Sequence, residues 1–371
     1  MKTLKHIGFI IFFLQTISIF GQDPNFSNFN NNKIYYNPAY AGIDYGLRIN
    51  LAYRRQWPNI PGKFQTFYAC FDHSIRFTRG TGGGGFGLIA VSNTEGEGAL
   101  QRITLGVPIS VRLISRSKSL VQFSWMPAYS FNSINWDQFV FSGQLDPYYG
   151  NKYSSGFISP DEGTSNKTYA DIGNFGIVYR YENTSSQANS SKFYKKFEVG
   201  IAGFHLTEPD QSFTHSKESP LPAKWVFLTN YTTSISLNHD GYLLLEPSLL
   251  CEWQWKMFSY MMGVNASLTD FNIDLGVWWR SKNINPRSTD AIIALFGYRF
   301  LLDKSKNIIL TASLAYDFTI SKLTDVTRGS PEITISIAFN ESSFFNDRPD
   351  VCDEGAPWMN RKKLSVRKRN H

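Results

Sequence analysis

The sequence has few of the residues and motifs on which catalytic or metal-binding sites are built. Its three cysteines cannot all pair, and they show no C-x-x-C motif and no cysteine–histidine spacing typical of a metal site. The histidines form no H-E-x-x-H motif, no G-x-S-x-G sequence is present, and no Lys-Ser or Lys-Thr follows the glycine run 82–85 to complete a phosphate-binding loop. The sequence therefore predicts no catalytic residue, no metal, no cofactor and no enzyme activity.

Charged residues are scarce, and their positions argue against a nucleic-acid partner. Asp, Glu, Lys and Arg make up 18% of the chain, whereas Phe, Trp and Tyr make up 16%, a balance that suits strands facing lipid. Of the formal charge of +7, Lys2 and Lys5 contribute two and the last eleven residues contribute six, so the body of the protein is nearly neutral. The basic tail is either a solvated end or a segment that docks on an acidic periplasmic partner or on anionic head groups.

One long apolar run occurs, and it lies at the amino terminus. Residues 7–20 are almost entirely apolar, follow Lys2 and Lys5, and end at the small residue Gly21. A run of about 14 residues is too short to span a bilayer comfortably as a helix, and it has no polar face for a buried helix to turn outward. The pattern is typical of a secretory signal peptide, so we expect the mature chain to begin near Gln22.

Apolar and polar residues alternate with a period of two along one segment after another, and no amphipathic helical stripe follows the signal. A soluble two-sheet sandwich would have to bury many of the 30 Phe, 19 Tyr and 9 Trp in a core about 10 Å thick. A barrel in lipid instead turns its apolar face outward, lines its lumen with polar residues and pairs every backbone group. The sequence therefore predicts an all-β fold, a single transmembrane antiparallel β-barrel of the outer-membrane type. In the run 272–280 the outward face comprises Ile273, Leu275, Val277 and Trp279.

The alternation marks about fourteen strands, an even number as expected of a single-chain bacterial barrel. We therefore divide the chain into a signal peptide (1–21), an N-terminal strap or plug segment (22–47), the barrel (48–339) and a periplasmic tail (340–371), with both termini in the periplasm. The apparent loop 182–194 is long where a short periplasmic turn is expected, so we expect that a strand has been missed or split. The strands are marked at 48–56, 64–77, 84–93, 99–114, 119–132, 169–181, 195–206, 223–238, 242–255, 257–269, 272–281, 289–301, 306–321 and 331–339.

The charges that the alternation assigns to the lumen carry both signs. A selectivity ring needs one dominant sign at one depth, so we expect an ion-paired interior that is either water-filled or plugged. These charges are Glu246, Glu252, Asp274, Arg280, Arg299 and Asp317.

A set of short motifs runs through the chain from the end of the signal to the last strand. They lie at 22–27, 36–42, 51–58, 170–179, 199–213 and 316–332. In this order they resemble the PorP/SprF family of type IX secretion system membrane proteins from the Bacteroidetes. The residues that carry the resemblance are Asn37, Pro38, Ala39, Ala41, Gly42, Trp57, Pro58, His205, Glu208, Pro209, Asp317 and Glu332. Of these, His205 ends a strand, and we expect it to anchor its loop by a hydrogen bond.

The resemblance implies a non-enzymatic barrel that works with the type IX machinery. It implies either a partner for export and surface attachment of a large adhesin with a type B C-terminal secretion domain, as in gliding or adhesion, or an outer-membrane anchor for the periplasmic motor and ring. A passive porin or a fatty-acid-transporter-like channel is the alternative from the transport class. Besides outer-membrane lipid, the expected partners are the adhesin and periplasmic type IX components reached through the tail. Candidate adhesin contacts in the loop 133–168, which could also simply pack that loop, are Tyr148, Tyr149, Tyr153 and Phe157.

Overall fold

Fourteen antiparallel strands form a closed barrel in the protein, which we describe from a computed structural model. Each strand pairs with its neighbours along the chain, and the first strand also pairs with the last, so the sheet closes on itself. The predicted fold class and strand number are confirmed. The structure describes residues 23–76, 83–96, 100–116, 118–136, 139, 145–146, 148, 150–151, 165–186, 192–213, 219–237, 242–282, 289–303, 307–321 and 324–340. The strands are β1 (Leu47–Arg55), β2 (Lys63–Arg76), β3 (Gly83–Gly96), β4 (Leu100–Gly106 and Ile109–Ser115), β5 (Ser119–Trp125 and Ala128–Ser133), β6 (Asn166–Asp171 and Phe175–Ser186), β7 (Lys192–Phe204), β8 (Lys224–Ser236), β9 (Tyr242–Gln254), β10 (Met257–Leu268), β11 (Ile273–Ser281), β12 (Thr289–Asp303), β13 (Ile308–Thr319) and β14 (Ser330–Phe339).

Short helices accompany the strands in the described part of the chain. The α-helix α1 (Lys33–Tyr36) and a 3-10 helix (Pro38–Tyr40) precede β1, and the α-helix α2 (Thr324–Thr327) lies between β13 and β14. A two-residue ladder joins Leu145–Asp146 to Gly150–Asn151. Among the described residues, no helix is both long and apolar enough to cross a membrane.

The neighbouring strands β4, β5 and β6 are each interrupted once, and the interruptions lie side by side in the wall. Pro108 and Pro127 stand at two of them, where they have no N–H group to donate. The main chain nevertheless stays paired: the carbonyl of Pro108 accepts from the N–H of Gly87 at 2.9 Å, and that of Pro127 accepts from the N–H of Val107 at 3.0 Å. At the third break, the carbonyl of Asn174 in β6 accepts from the N–H of Met126 at the break of β5 at 2.9 Å. The wall therefore has no unpaired edge here.

Side chains alternate between the outside and the lumen along each strand. In β12, Ile292 and Phe296 are 43% and 51% exposed, whereas Ile293 and Leu295 between them are 0% and 7% exposed. The same alternation leaves Trp253 of β9 58% exposed. The exposed positions are apolar around the barrel, as expected of a face that contacts lipid.

The connections differ in length at the two ends of the barrel. One end, which we call the loop side, has the connections 134–165, 205–223 and 320–329, whereas the connections at the opposite end, the turn side, have at most six residues. The expectation that a strand had been missed or split is wrong. Because β6 continues to Ser186 and β7 begins at Lys192, the apparent long loop 182–194 is mostly strand.

The hydrophobic core lies inside the barrel. Leu228, Leu250, Trp278 and Ile293 point into the lumen and are at most 2% exposed. The lumenal face of β8 to β12 therefore carries apolar side chains beside the expected polar ones. A continuous apolar run, such as 225–228, indicates a strand with apolar residues on both faces. An interpretation based only on a period of two misses this indication.

Candidate functional site in the barrel lumen

Residues 23–46, which we call the N-terminal segment, run through the lumen from the loop side to the turn side. Phe26, Phe29 and Tyr36 are 1%, 0% and 0% exposed, and the ring of Phe29 meets that of Trp278 edge-on at 4.9 Å. At the turn side, the N–H of Gly46 donates to Ser74 Oγ at 3.1 Å. The segment and the inward side chains of the wall thus form a single core.

The first described residue, Asp23, is held at the loop side by a cluster of charges. Its Oδ2 lies 2.9 Å from Nε2 of His205, while Nδ1 of the same ring lies 2.6 Å from Oδ2 of Asp171. Lys224 and Arg102 each bring a cationic nitrogen within 3.6 Å of the Asp23 carboxylate. We call these five residues the Asp23 cluster. Opposite charges in a buried place stabilise one another only when they are paired as closely as here.

Contacts within the Asp23 cluster shift the pKa values of His205 and Asp23. Burial alone would lower the pKa of His205, but the charge of Asp23 and hydrogen bonds to Asp171 and Asp23 outweigh burial and raise the pKa to about 9. Burial alone would raise the pKa of Asp23, but His205 and Lys224 hold that pKa well below its usual range. At neutral pH the imidazolium therefore bridges two carboxylates.

A second cluster holds the next turn of the segment. The guanidinium of Arg54 pairs with Asp317 at 2.6 Å and with Glu332 at 3.2 Å, and all three side chains are at most 1% exposed. Glu332 accepts the backbone N–H groups of Ser27 at 2.6 Å and of Asn28 at 3.1 Å. We call this group the Arg54 cluster. Charge-assisted hydrogen bonds of this kind fix the backbone of the segment to β1, β13 and β14.

Lys33 forms a third ionic contact near the middle of the lumen. Its ammonium lies 2.9 Å from Glu198 and 3.5 Å from Glu246. Glu198 also pairs with Arg180 at 2.6 Å, and Arg180 reaches Asp44 at 2.5 Å. The segment is therefore tied to the wall along its whole length.

Asn37 caps the 3-10 helix and docks on two neighbouring strands. Its Oδ1 accepts the N–H of Ala39 at 2.9 Å, and its Nδ2 donates to carbonyls in β6 and β7 at 3.0 and 3.3 Å. Glycines make room for it: a Cβ on Gly176 would lie 2.1 Å from Asn37 Oδ1, and one on Gly200 would lie 2.6 Å from Asn37 Nδ2. No larger residue fits at either position without displacing the segment.

The Ala41–Gly42 pair brings the backbone of the segment close to the backbone of the wall. Gly42 has φ +63°, and its N–H donates to Asp72 Oδ2 at 2.9 Å. A Cβ on Gly85 would lie 2.5 Å from both the Gly42 Cα and the Ala41 carbonyl oxygen. Gln122 donates to the carbonyls of both Ala39 and Ala41 at 2.8 Å. Part of the glycine run 82–85 thus belongs to this contact.

Other family-motif residues shape the loop side. Trp57 has φ +48°, and its ring lies 5.5 Å from that of Phe64; Pro58 follows it in the connection between β1 and β2. Glu208 donates its N–H to the carbonyl of His205 at 2.9 Å, and the carbonyl of Pro209 accepts from the chain twelve residues on at 3.0 Å. These contacts fold the connections over the mouth.

The structure describes one of the four candidate loop aromatics and neither end of the full chain. Tyr148 is 92% exposed, and Tyr149, Tyr153 and Phe157 lie outside the described residues. Residues 1–22 and the tail beyond Asn340 also lie outside them. The prediction placed both termini on one side of the membrane, but the two described ends of the chain lie at opposite ends of the barrel, with Asp23 at the loop side.

The lumenal charges are paired with charges of opposite sign on other strands or on the N-terminal segment. Within the described residues, no group of three His, Cys, Asp or Glu side chains could hold a metal ion. Cys70 and Cys251 are free thiols. Because each described lumenal charge predicted from sequence has a partner of opposite sign, the arrangement does not form a single-sign ring. The pairs are Lys33–Glu246, Lys224–Glu252, Arg280–Asp290, Arg280–Asp317 and Arg299–Asp274.

Comparisons with known proteins found a matching family model and several similar solved structures. The family model of the type IX secretion system membrane protein PorP/SprF matches residues 18–337. The Ralstonia pickettii toluene transporter TbuX is similar at 12% identity and a TM-score of 0.40, over 82% of this chain and 93% of that chain. The β domain of the Bordetella autotransporter BrkA is similar at 10% identity and a TM-score of 0.38, over 79% and 98% of the two chains. The comparison with curated protein sequences gave no match. The likenesses to solved structures concern the fold alone.

Proposed function

Because the chain belongs to the PorP/SprF family of type IX secretion system membrane proteins, we propose that this outer-membrane barrel is a non-enzymatic partner for the export and surface attachment of a large adhesin with a type B C-terminal secretion domain. The observation that carries the proposal is the N-terminal segment, which fills the lumen with a buried core. It is tied to the wall by ion pairs of Asp23, Lys33 and Asp44 and by backbone hydrogen bonds to Glu332. A lumen occupied in this way leaves the mouths of the barrel as the places for a partner.

The division of the chain supports this role. We propose that residues 1–21 are a signal peptide that is removed, that residues 22–47 are a plug, and that residues 340–371 are a basic tail on the periplasmic side. Support for the plug comes from the burial of Phe26, Phe29 and Tyr36. Support for the tail comes from Phe339, which ends β14 at the turn side beside the first residue of β1.

The loop side is the proposed contact with the adhesin. Tyr148, at 92% exposure, is an aromatic side chain free to enter a partner's pocket, and Tyr149, Tyr153 and Phe157 follow it in the same connection. Exposed aromatic residues often contribute most of the binding energy in protein interfaces. The family-motif residues do not form this contact themselves. They hold the N-terminal segment in place and fold the loops at the mouth of the barrel.

An anchor for the periplasmic motor and ring is the second candidate. It is favoured by the position of Phe339, which ends β14 at the turn side, just before the basic tail begins in the sequence. A tail with six basic residues among its last eleven would complement an acidic periplasmic surface. The two roles engage opposite ends of the barrel and can be tested in the same experiment.

The test is purification of the native protein from envelopes in mild detergent, followed by mass spectrometry of what accompanies it. Recovery of a large adhesin with a type IX secretion domain supports the first role, and recovery of motor and ring lipoproteins supports the second. A barrel without companions contradicts both and favours a channel.

Two variants assign each partner to its end of the barrel. A variant with Tyr148, Tyr149, Tyr153 and Phe157 replaced by serine should lose the adhesin alone. A chain that ends at Asn340 should lose only periplasmic components, so each variant is the control for the other.

A further inference from the structure

The N-terminal segment crosses the lumen in one direction, and that direction shows at which end of the barrel its first described residue lies. Asp23 contacts His205, which directly follows β7 at the loop side, and Lys224, which opens β8 at the same side. Arg102, the third cation at Asp23, lies near the loop-side start of β4. Three different strands thus place Asp23 at the loop side.

The later part of the segment moves steadily toward the turn side. Ala41 accepts from Ser110 in the lower half of β4, and Gly42 contacts Asp72 near the end of β2. A Cβ on Gly46 would lie 2.1 Å from the carbonyl oxygen of Phe339, the last residue of β14. The chain therefore enters at the loop side, passes through the lumen and joins β1 at the turn side.

In outer-membrane barrels the short turns face the periplasm and the long loops face the outside. We propose that the mature amino terminus of this protein lies at the loop-side mouth, on the cell-surface side of the outer membrane, and that the Asp23 cluster holds it there. The C-terminal tail then lies on the opposite, periplasmic side. A partner at the cell surface can reach the free end of the segment that fills the lumen, whereas a periplasmic partner cannot.

The contacts at Asp23 are of the kind that hold a chain end in place. The carboxylate meets three cationic side chains, and the side chains of His205, Lys224 and Asp171 are 14%, 5% and 3% exposed. Because a charge deprived of its partner in such a place is costly, the end of the segment stays seated while the cluster is intact. The proposal does not depend on which protein the barrel binds.

Labelling of single cysteines on intact cells tests the proposal. The background carries Cys352→Ser; Cys70 is buried and Cys251 lies on the lipid-facing side of β9. In this background we introduce Gln22→Cys, with Tyr148→Cys as the loop-side reference and Asp270→Cys as the turn-side reference. The reagent is a membrane-impermeant maleimide, applied before and after the outer membrane is permeabilised. A further variant carries an epitope between Gln22 and Asp23, so that a buried residue 22 cannot hide the result.

We expect Gln22→Cys and the epitope to react on intact cells, as Tyr148→Cys does, and Asp270→Cys to react only after permeabilisation. Adding His205→Asn should reduce the surface signal of Gln22→Cys several-fold, whereas Lys167→Gln, a partly exposed charge at the same mouth, should leave it unchanged. Reaction of both the cysteine and the epitope only after permeabilisation overturns the proposal. Reaction of Asp270→Cys on intact cells also overturns it, because the barrel would then be inverted.

Discussion

His205 joins two parts of the chain that are 182 residues apart in sequence, and its effect should depend on pH. Its pKa is raised from 6.5 to about 9, so its contribution to stability is complete below pH 6.5 and is lost as the pH rises through about 9. Asp23, with a lowered pKa, contributes above pH 3.8 and loses its contribution only in acid. We expect the melting temperature in detergent to fall over the alkaline window in the wild type and much less in His205→Asn. Identical pH curves would contradict this role.

The same substitution should cost stability at neutral pH. Asparagine leaves Asp23 and Asp171 without the imidazolium between them, and removal of one partner from a buried pair costs about 3–5 kcal/mol. Chemical denaturation at pH 7 measures the loss. The matched control is Lys167→Gln. The side chain of Lys167 is 31% exposed in its pair with Asp210, so this substitution should change stability by less than about 1 kcal/mol.

Gly176 and Gly200 should resist replacement, because each leaves room for the amide of Asn37. We expect Gly200→Ala to lower the free energy of unfolding by about 1–3 kcal/mol, as overpacking does. Gly106→Ala is the control, since the nearest atoms there belong to the flexible side chain of Met126 at 3.2 Å. Adding Asn37→Gly should restore part of the stability of Gly200→Ala, and an absence of rescue would mean that the loss has another cause.

At the scale of the strands, Asn174 holds the interruption of β6 together. Its Nδ2 donates to the carbonyls of Met126 and Asp171 at 3.1 Å each, and its Oδ1 accepts the N–H of His205 at 3.0 Å. Loss of three hydrogen bonds should cost about 2–3 kcal/mol. Denaturation of Asn174→Ala measures this, with the exposed Thr168→Ala in the same strand as control. Equal stability of the two variants would show that the break needs no side-chain support.

The strands were predictable where one face meets lipid and the other is polar or small, as in the predicted 272–281 and the observed Ile273–Ser281. They were harder to predict where neither face is apolar. Around 182–194 the sequence is rich in serine and asparagine, so the period of two disappears although the backbone pairing of β6 with β7 continues. Hydrogen bonds between strands need no hydrophobic pattern.

At the scale of the whole molecule, the motif residues could be found in the sequence but their assembly could not. Asp317 and Glu332 come together with Arg54 only because β1, β13 and β14 close the barrel, and no local pattern encodes that closure. The residues of the Asn37–Gly42 stretch were found in the sequence as part of the family motif. Their contact with the glycines of β3, β6 and β7 depends on the path of the segment through the lumen.

We propose that the N-terminal segment closes the lumen, so that the barrel binds partners and does not conduct solutes. The most direct test is the release of small sugars and ions from liposomes that contain the purified wild-type protein, beside a variant lacking residues 23–42. We predict that the wild type releases neither solute and that the deletion variant releases both. Release by the wild type at the rate of an open porin would contradict the claim, whatever the deletion variant does.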